Sequence, residues 1–371
     1  MNLLALEPYY GGSHRAFLDG WIAHSRYQWT CLTLPAHHWK WRMRHAAITF
    51  AQQATDLKET HFDAIFCSDM LNLAAFRGLA PSPIASLPTV VYFHENQLTY
   101  PDEFRTQRDY HYAFDNFQTL LAADQAWFNS DYHRTEFFQQ CQAFLQKFPD
   151  YTLESQLDQA HDKTIVASPG LPEITPRPRE LNFQCPHIVW AARWEKDKNP
   201  DDFFDAMFRL QEGGHPFRLS VVGESFRDCP PIFDKARTVL ADRIEQWGYL
   251  PSHDAYQELL GKSDLFISSA AHEFFGISAA EAIVAGNVPV LPRRLAYPEL
   301  VDRQANLLYD GTTDSLVNHL KRLREDVDFQ RTAQEQQAIV ASKLSVLQWS
   351  QLAADYDGKL ESVAQQPRRL S

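Results

Sequence analysis

Cysteine is scarce: Cys31, Cys67, Cys141, Cys185 and Cys229 are an odd, scattered set of five in 371 residues, with no C-x-x-C pair. That spacing excludes a disulfide scaffold and leaves buried thiols in a reducing compartment as the expected use. H-E-x-x-H and the His-Cys clusters of zinc sites are missing too, so no metal is expected. Nowhere do 18 apolar residues run together, which excludes a membrane-spanning helix. The opening Met1-Asn2-Leu3-Leu4-Ala5-Leu6-Glu7-Pro8 lacks a basic start and meets Glu7 too early for a signal peptide, which points to the cytoplasm. With 14 Gly and 21 Pro, the chain is neither collagen-like nor low-complexity. No G-x-G-x-x-G follows an apolar strand, which disfavours a nicotinamide oxidoreductase.

Hydrophobic residues make up 44% and charged residues 22%, ordinary for a chain that buries sizeable cores. The length suggests two to three domains at about 150 residues each. A net charge of -12 argues against non-specific polyanion binding by the whole surface. The first fifty residues run the other way. They carry Arg15, Arg26, Lys40, Arg42 and Arg44 against only Glu7 and Asp19.

Short apolar runs rich in β-branched and aromatic residues predict strands at 3–6, 64–67, 89–93, 126–129 and 164–167. Helical patterns at 46–60 and 114–122 lie between them. Strand-helix alternation implies βαβ units and a largely parallel sheet. From Leu171 the pattern breaks, and Pro172, Pro176, Pro178 and Pro186 make helix or inner strand improbable. Alternation restarts with strands at 187–191, 218–222, 265–268 and 288–291 and helices at 200–211, 255–260 and 278–285. The reading is α/β throughout: a domain at 1–172, a linker at 173–186, a second domain at 187–345, and a helical tail at 346–371 that could return to the first domain. Two doubly wound domains would then face a cleft, where such sheets bind ligands.

The second half carries the sharper chemistry. A strand ending at Ser268 leads through Glu273-Phe274-Phe275-Gly276-Ile277-Ser278 into a helix bearing Glu281. The open N–H groups of a helix start suit a phosphate, and Gly276 lets a ligand approach the backbone. Glu273 and Glu281 are placed to grip hydroxyls, one on a transferred sugar and one on a ribose. At another strand end, Arg193 and Lys198 could clamp a diphosphate, although Glu195, Lys196 and Asp197 read equally as a solvated loop.

In this pairing the chain resembles the retaining family 4 glycosyltransferases of GT-B architecture, built from two Rossmann-like domains. The likeness runs through Arg193, Lys198, Val221-Val222-Gly223, Gly248-Tyr249-Leu250, the Glu273 to Glu281 element, and Pro289-Val290 with Pro298-Glu299. It implies that Glu273 meets the donor sugar, Glu281 holds the ribose, the basic pair binds the diphosphate, and Gly223, Tyr249, Leu250, Gly276, Ile277 and Ser278 line the donor site. It also implies a reaction without a metal. Asp326-Val327-Asp328 is not a metal motif, because it lies in the polar helical tail.

In the first half, Glu7-Pro8-Tyr9-Tyr10-Gly11-Gly12-Ser13-His14 follows the first strand. Gly11-Gly12 before a helix suits a backbone nest near phosphate or acceptor; a plain turn is the alternative. His94-Glu95-Asn96-Gln97-Leu98-Thr99-Tyr100-Pro101 packs hydrogen-bonding side chains at another strand end, with His94 the best catalytic candidate. His37-His38-Trp39-Lys40-Trp41-Arg42-Met43-Arg44-His45 interleaves basic groups with two Trp, as RNA recognition requires. These three segments are similar to the tRNA-queuosine α-mannosyltransferase branch. The likeness implies transfer of mannose from GDP-mannose, with retention, to the cyclopentenediol of queuosine at the wobble position of a tRNA. Gly12 would then serve the donor, and Ser13, His14, Trp39, Lys40, Trp41, Arg42, Arg44, Glu95 and Asn96 the acceptor. The expected partners are tRNA carrying queuosine and a sugar nucleotide, with no cofactor and no membrane. A lipid or polysaccharide acceptor, or a non-catalytic sugar-nucleotide or RNA-binding module, are the alternatives.

Overall fold

The structure, a computed structural model, describes residues 1–57, 59–100, 109–176, 179–225 and 228–366. Pro101, Pro178 and the last five residues lie outside that set. The chain forms two compact units: Met1–Gly170 together with Trp349–Ser371, and Leu171–Gln348. No described helix is long and apolar enough to cross a membrane.

The first unit is built on β1 (Asn2–Tyr10), β2 (Gln28–Pro35), β3 (Ala64–Ser68), β4 (Thr89–Phe93), β5 (Gln125–Phe128) and β6 (Thr164–Val166). They pair in parallel in the order β2-β1-β3-β4-β5-β6. Inner strands β3 and β4 are buried along their whole length, which is why they read as unbroken apolar runs. The chain leaves β1 toward β2 and returns on the far side to β3, so the order reverses between β1 and β3. In such sheets the reversal opens a crevice at the carboxyl ends of the two strands.

The helix Trp349–Ala364 belongs to this unit. Trp349 fills a slot between Gly20 and Gly170, where an added Cβ would come within 2.1 Å of its ring. Its neighbour along the helix, buried Asp357, accepts from Trp21 Nε1 at 2.9 Å, Ser25 Oγ at 2.8 Å and the Arg26 amide at 2.9 Å. The changeover therefore falls between Gln348 and Trp349.

The second unit holds β7 (His187–Ala191), β8 (Arg218–Val222), β9 (Ile244–Gly248), β10 (Leu265–Ile267), β11 (Val288–Pro292) and β12 (Leu308–Tyr309), all parallel in the order β12-β11-β10-β7-β8-β9. Here the reversal falls between β7 and β10. The described residues of the Pro-rich stretch 173–186 pack as part of this unit rather than as a spacer. Ile174 and Phe183 are in its core, and the Arg179 guanidinium donates to the Gly261 and Ser263 carbonyls.

Strands β2, β9 and β12 have no counterpart in the sequence reading, and all three lie at sheet edges. β2 and β9 have no fully buried residue, so as edge strands they mix polar with apolar and leave no clean run, whereas β12 is buried but only 2 residues long.

Candidate active-site residues at two strand edges

In the second unit the loops after β7 and β10 meet at the reversal point. Ser269 Oγ donates to the Lys198 carbonyl at 2.9 Å, and the Ala271 amide to the Asp197 carbonyl at 2.8 Å. The β10 loop is braced from behind. Tyr297 and Ser268 hydroxyls meet at 2.7 Å, and Arg294 donates to the Ala270 and Ser269 carbonyls at 3.0 and 2.8 Å. The loop ends at Gly276, whose φ of 96° is left-handed and strained for other residues. Helix Ile277–Val284 then starts with no side-chain cap, so its first N–H groups face outward unsatisfied by a side chain.

Lys198 is the hub of this framework. Its ammonium lies 2.8 Å from the His272 carbonyl, 3.1 Å from Asp197 and 3.5 Å from Glu273. Burial disfavours the ammonium, but Glu273 and Asp197 outweigh it and the net shift is upward, so Lys198 stays charged. The same burial, aided by Lys198, pushes His272 down to about 4. Arg193 is more exposed, pairs with Glu195 at 3.2 Å and is felt electrostatically by Lys198. Arg193, Lys198 and Glu273 are thus gathered at one place, beside Gly276, Ile277 and Ser278. Glu281 is buried one turn into the helix, 3.4 Å from His253 Nε2. Gly223 abuts Ala192, whose carbonyl oxygen would lie 1.8 Å from an added Cβ, and donates its amide to the Gly248 carbonyl at 3.4 Å. Tyr249 beyond it is 75% exposed, while Leu250 packs on the core. The sequence reading put Asp197 in a solvated loop, whereas it is buried against Lys198; it missed His272, next to Glu273, and Arg294.

In the first unit, Glu7 is buried in β1 across from Ser68 at the end of β3. Its carboxylate accepts from the Tyr9 amide at 2.8 Å and Ser68 Oγ at 3.0 Å, and pairs with His14 Nδ1 at 3.3 Å. Burial works against a His14 imidazolium, yet Glu7, with Asp69 and Glu95 behind it, holds the His14 pKa up at about 9. The His14 ring lies 4.0 Å from that of His94. Burial, reinforced by the His14 charge, keeps His94 well below the usual histidine range and therefore neutral. His94 is anchored through its backbone, its amide donating to Asp69 Oδ1 and its carbonyl accepting from Asn129, both at 2.9 Å. Gly12, at φ 51°, and Ser13 are exposed at the start of helix Gly12–His24. Glu95 is partly buried and accepts from Gln97 Nε2 at 2.9 Å. Asn96 is fully buried and shapes the turn, its oxygen accepting from the amides of Leu98 and Thr99 at 3.0 Å.

Among the described residues, Glu7, His14 and His94 form the one group with three metal-ligating atoms within 4.8 Å. Glu7 and His14 are already bonded to each other rather than turned to a common centre.

The basic-aromatic segment is divided by the fold. Helix Trp39–Asp56 turns Arg42 inward, where it is 8% exposed and donates to the Pro35 carbonyl and to His45 and His37 at 2.9 to 3.0 Å. Arg42 therefore braces the patch instead of projecting from it, contrary to its expected place among acceptor contacts. Trp39 packs against Tyr112, with Lys40 over its ring. Arg44 pairs with Asp115 at 3.2 Å. Trp41 is 61% exposed, its ring 5.0 Å from that of His45.

Comparison with known proteins gives this geometry its frame. Residues 2–171 match a family model described as tRNA-queuosine alpha-mannosyltransferase N-terminal, and residues 185–326 match glycosyl transferases group 1. A tRNA-queuosine alpha-mannosyltransferase of Drosophila melanogaster is 34% identical over 314 residues, covering 82% of this chain and 82% of the fly protein. The chain belongs to the tRNA-queuosine α-mannosyltransferase family. This member is a glycosyltransferase, and the match to glycosyl transferases group 1 falls in its second unit. A GDP-mannose-dependent alpha-(1-6)-phosphatidylinositol dimannoside mannosyltransferase of Mycobacterium tuberculosis (strain ATCC 25177 / H37Ra) is 20% identical, covering 90% of this chain and 82% of its own. Among solved structures, sucrose-phosphate synthase from Thermosynechococcus elongatus has a TM-score of 0.74 at 15% identity, covering 98% of each chain. Anabaena Alr3699/HepE in complex with UDP has a TM-score of 0.68 at 16% identity, covering 98% of this chain and 100% of its own. These likenesses give the fold, which is GT-B.

Proposed function

We propose that this protein transfers mannose from GDP-mannose to the cyclopentenediol of queuosine at the wobble position of a tRNA, in the cytoplasm, with retention and without a metal. The observation that carries the acceptor is the match of residues 2–171 to the queuosine family, since the first unit is where acceptor recognition is expected. The Lys198–Glu273 arrangement supports the donor half: a cation and a helix start suited to a diphosphate, next to a carboxylate suited to sugar hydroxyls.

In this reading the bond from the anomeric carbon to the diphosphate oxygen breaks through an oxocarbenium-like state. Arg193, Lys198 and the N–H groups at the start of Ile277–Val284 take up the charge that develops on the departing GDP. Glu273 holds the sugar, and Glu281 the ribose. His94, neutral and with Nε2 buried without a partner, is suited to a hydrogen bond with the sugar or the incoming hydroxyl. The acceptor oxygen attacks the face that the diphosphate leaves, and its proton passes to a phosphate oxygen of the leaving group. The new C–O bond to the acceptor replaces the C–O bond to the diphosphate, the acceptor's O–H bond is exchanged for a phosphate O–H bond, and GDP departs with the proton.

A specific observation favours a second reading. Trp41 and Ile48 are both about 60% exposed on one helix, an apolar pair that a lipid acceptor's membrane could take up. Transfer from labelled GDP-mannose in EDTA, with tRNA or phospholipid vesicles as acceptor and the product's anomeric configuration read by NMR, tests the proposal. α-Mannosyl queuosine formed in EDTA supports it; a β-linked product, abolition by EDTA, or label in lipid alone overturns it.

A further inference from the structure

Three carboxylates meet at the reversal point of the first sheet, where a protein handling a polyanionic RNA has most reason to be basic. Glu7 lies in β1 across from the end of β3, Asp69 follows β3 and Glu95 follows β4, so three adjacent strands deliver an acid to the same edge. Among the described residues, His14 is the cation that feels all three. Glu7 is accounted for by Tyr9, Ser68 and His14. Asp69 is not. It has no exposed surface, Oδ1 accepts the His94 amide, and Oδ2 is buried with no hydrogen-bond partner. Its electrostatic neighbours are His14, Glu95 and Glu7, so the orphaned oxygen belongs to this cluster.

A buried carboxylate oxygen with no donor is costly unless something supplies one. Burial accordingly pushes the Asp69 carboxyl far above its ordinary range. A donor that also brings positive charge would both satisfy Oδ2 and offset the excess of acid. Phosphate is the wrong ligand for this edge, and a neutral sugar hydroxyl would leave the charge unanswered.

Resting on the proposed function, we propose that Asp69 and Glu95 form the subsite for the protonated secondary amine that joins the cyclopentenediol of queuosine to its base. The ring bonded to that nitrogen carries the diol, so the subsite holds the diol beside His94, whose amide Asp69 accepts. The first unit thus reads the modified nucleoside through its charge, and unmodified guanosine, which has no such amine, leaves the carboxylates unsatisfied. The phosphates are left to the separate surface of Lys40, Trp41 and Arg44.

The test uses the full-length enzyme and anticodon stem-loop RNAs bearing queuosine, queuosine methylated on that amine, and queuosine acetylated on it. Methylation adds bulk and keeps the charge; acetylation adds bulk and removes it. The wild type is expected to accept the methylated RNA within threefold of the unmodified KM and to show at least a tenfold higher KM for the acetylated one. Glu95→Gln should shrink that tenfold difference to threefold or less by raising KM for the charged RNAs. Asp69→Asn should act likewise, and where it fails to fold, as judged by thermal unfolding, partly exposed Glu95 carries the test. Equal KM values for methylated and acetylated RNA in the wild type, or an unchanged ratio in Glu95→Gln, overturns the amine subsite. Absence of transfer to any queuosine RNA by the wild type overturns the proposed function instead.

Discussion

Replacing Lys198 with Met removes a charge from the centre of a nearly closed arrangement. The ammonium has 12% side-chain exposure and Asp197 6%, so Met leaves Asp197 buried without its counter-ion and Glu273 without its nearest one. Breaking a buried pair in this way costs about 3–5 kcal/mol, and the lower end applies because Glu273 is more exposed. At roughly 2–4 °C per kcal/mol for a unit of this size, the thermal midpoint of the second unit should fall by about 10 °C. On the proposed function the leaving diphosphate would also lose one fixed cation, which should lower kcat by about 10²–10³-fold. The double variant Lys198→Met with Asp197→Asn separates the two effects. It removes the orphaned charge, so most of the stability should return while turnover stays low. Differential scanning calorimetry and a transfer assay on both variants provide the readouts. Turnover within threefold of wild type in either variant, or turnover that recovers together with stability, would refute a direct role for Lys198.

Asp357→Ala strips three donors, Trp21 Nε1, Ser25 Oγ and the Arg26 amide, of their acceptor. Urea unfolding of the first unit should show a loss of about 2–3 kcal/mol; a loss under 0.5 would contradict the final helix as an integral part of that unit. Burial, aided by Arg322, depresses His319 to about 4, so the folded state excludes a proton that the unfolded chain takes up below pH 6.5. Stability from this group is full above pH 6.5 and is lost as the pH falls toward 4; His319→Gln should flatten that slope, leaving the parts due to other depressed histidines such as His272, His94 and His187. Glu281→Ala should raise the Kd for GDP-mannose about tenfold or more, by loss of a charged acceptor for the ribose, and calorimetric titration reads it. Lys40, Trp41 and Arg44 changed together to Ala should raise KM for tRNA and flatten its dependence on salt, with donor affinity unchanged. Arg42→Ala should instead show first as lost stability, since that guanidinium is spent on Pro35, His37 and His45.

What could be read from residues alone follows the physics of burial. Strands covered on both faces, such as β3 and β4, are continuous apolar runs and declare themselves; β2, with Gln28 and Thr30 among its residues, does not. The candidate donor residues were legible because they are local: Glu273, Gly276 and Glu281 occupy one loop and one helix. Asp69 was not, because an acid after a strand looks like any loop start until β1 and β4 deliver Glu7 and Glu95 beside it. Arg42 and Trp41 are adjacent in sequence, and only the preceding loop, which supplies Pro35 and His37 to Arg42, sends one inward and leaves the other outside. The Pro-rich 173–186 stretch has the composition of a linker, but Phe183 and Ile174 are apolar anchors that fasten it to the second unit.

The most direct measurement is mannose transfer from radiolabelled GDP-mannose to two tRNA pools, one carrying queuosine and one lacking it. Label confined to the queuosine pool is the result expected from a glycosyltransferase whose first unit reads that nucleoside. Equal label in both pools, or in neither while GDP-mannose still binds, would contradict it.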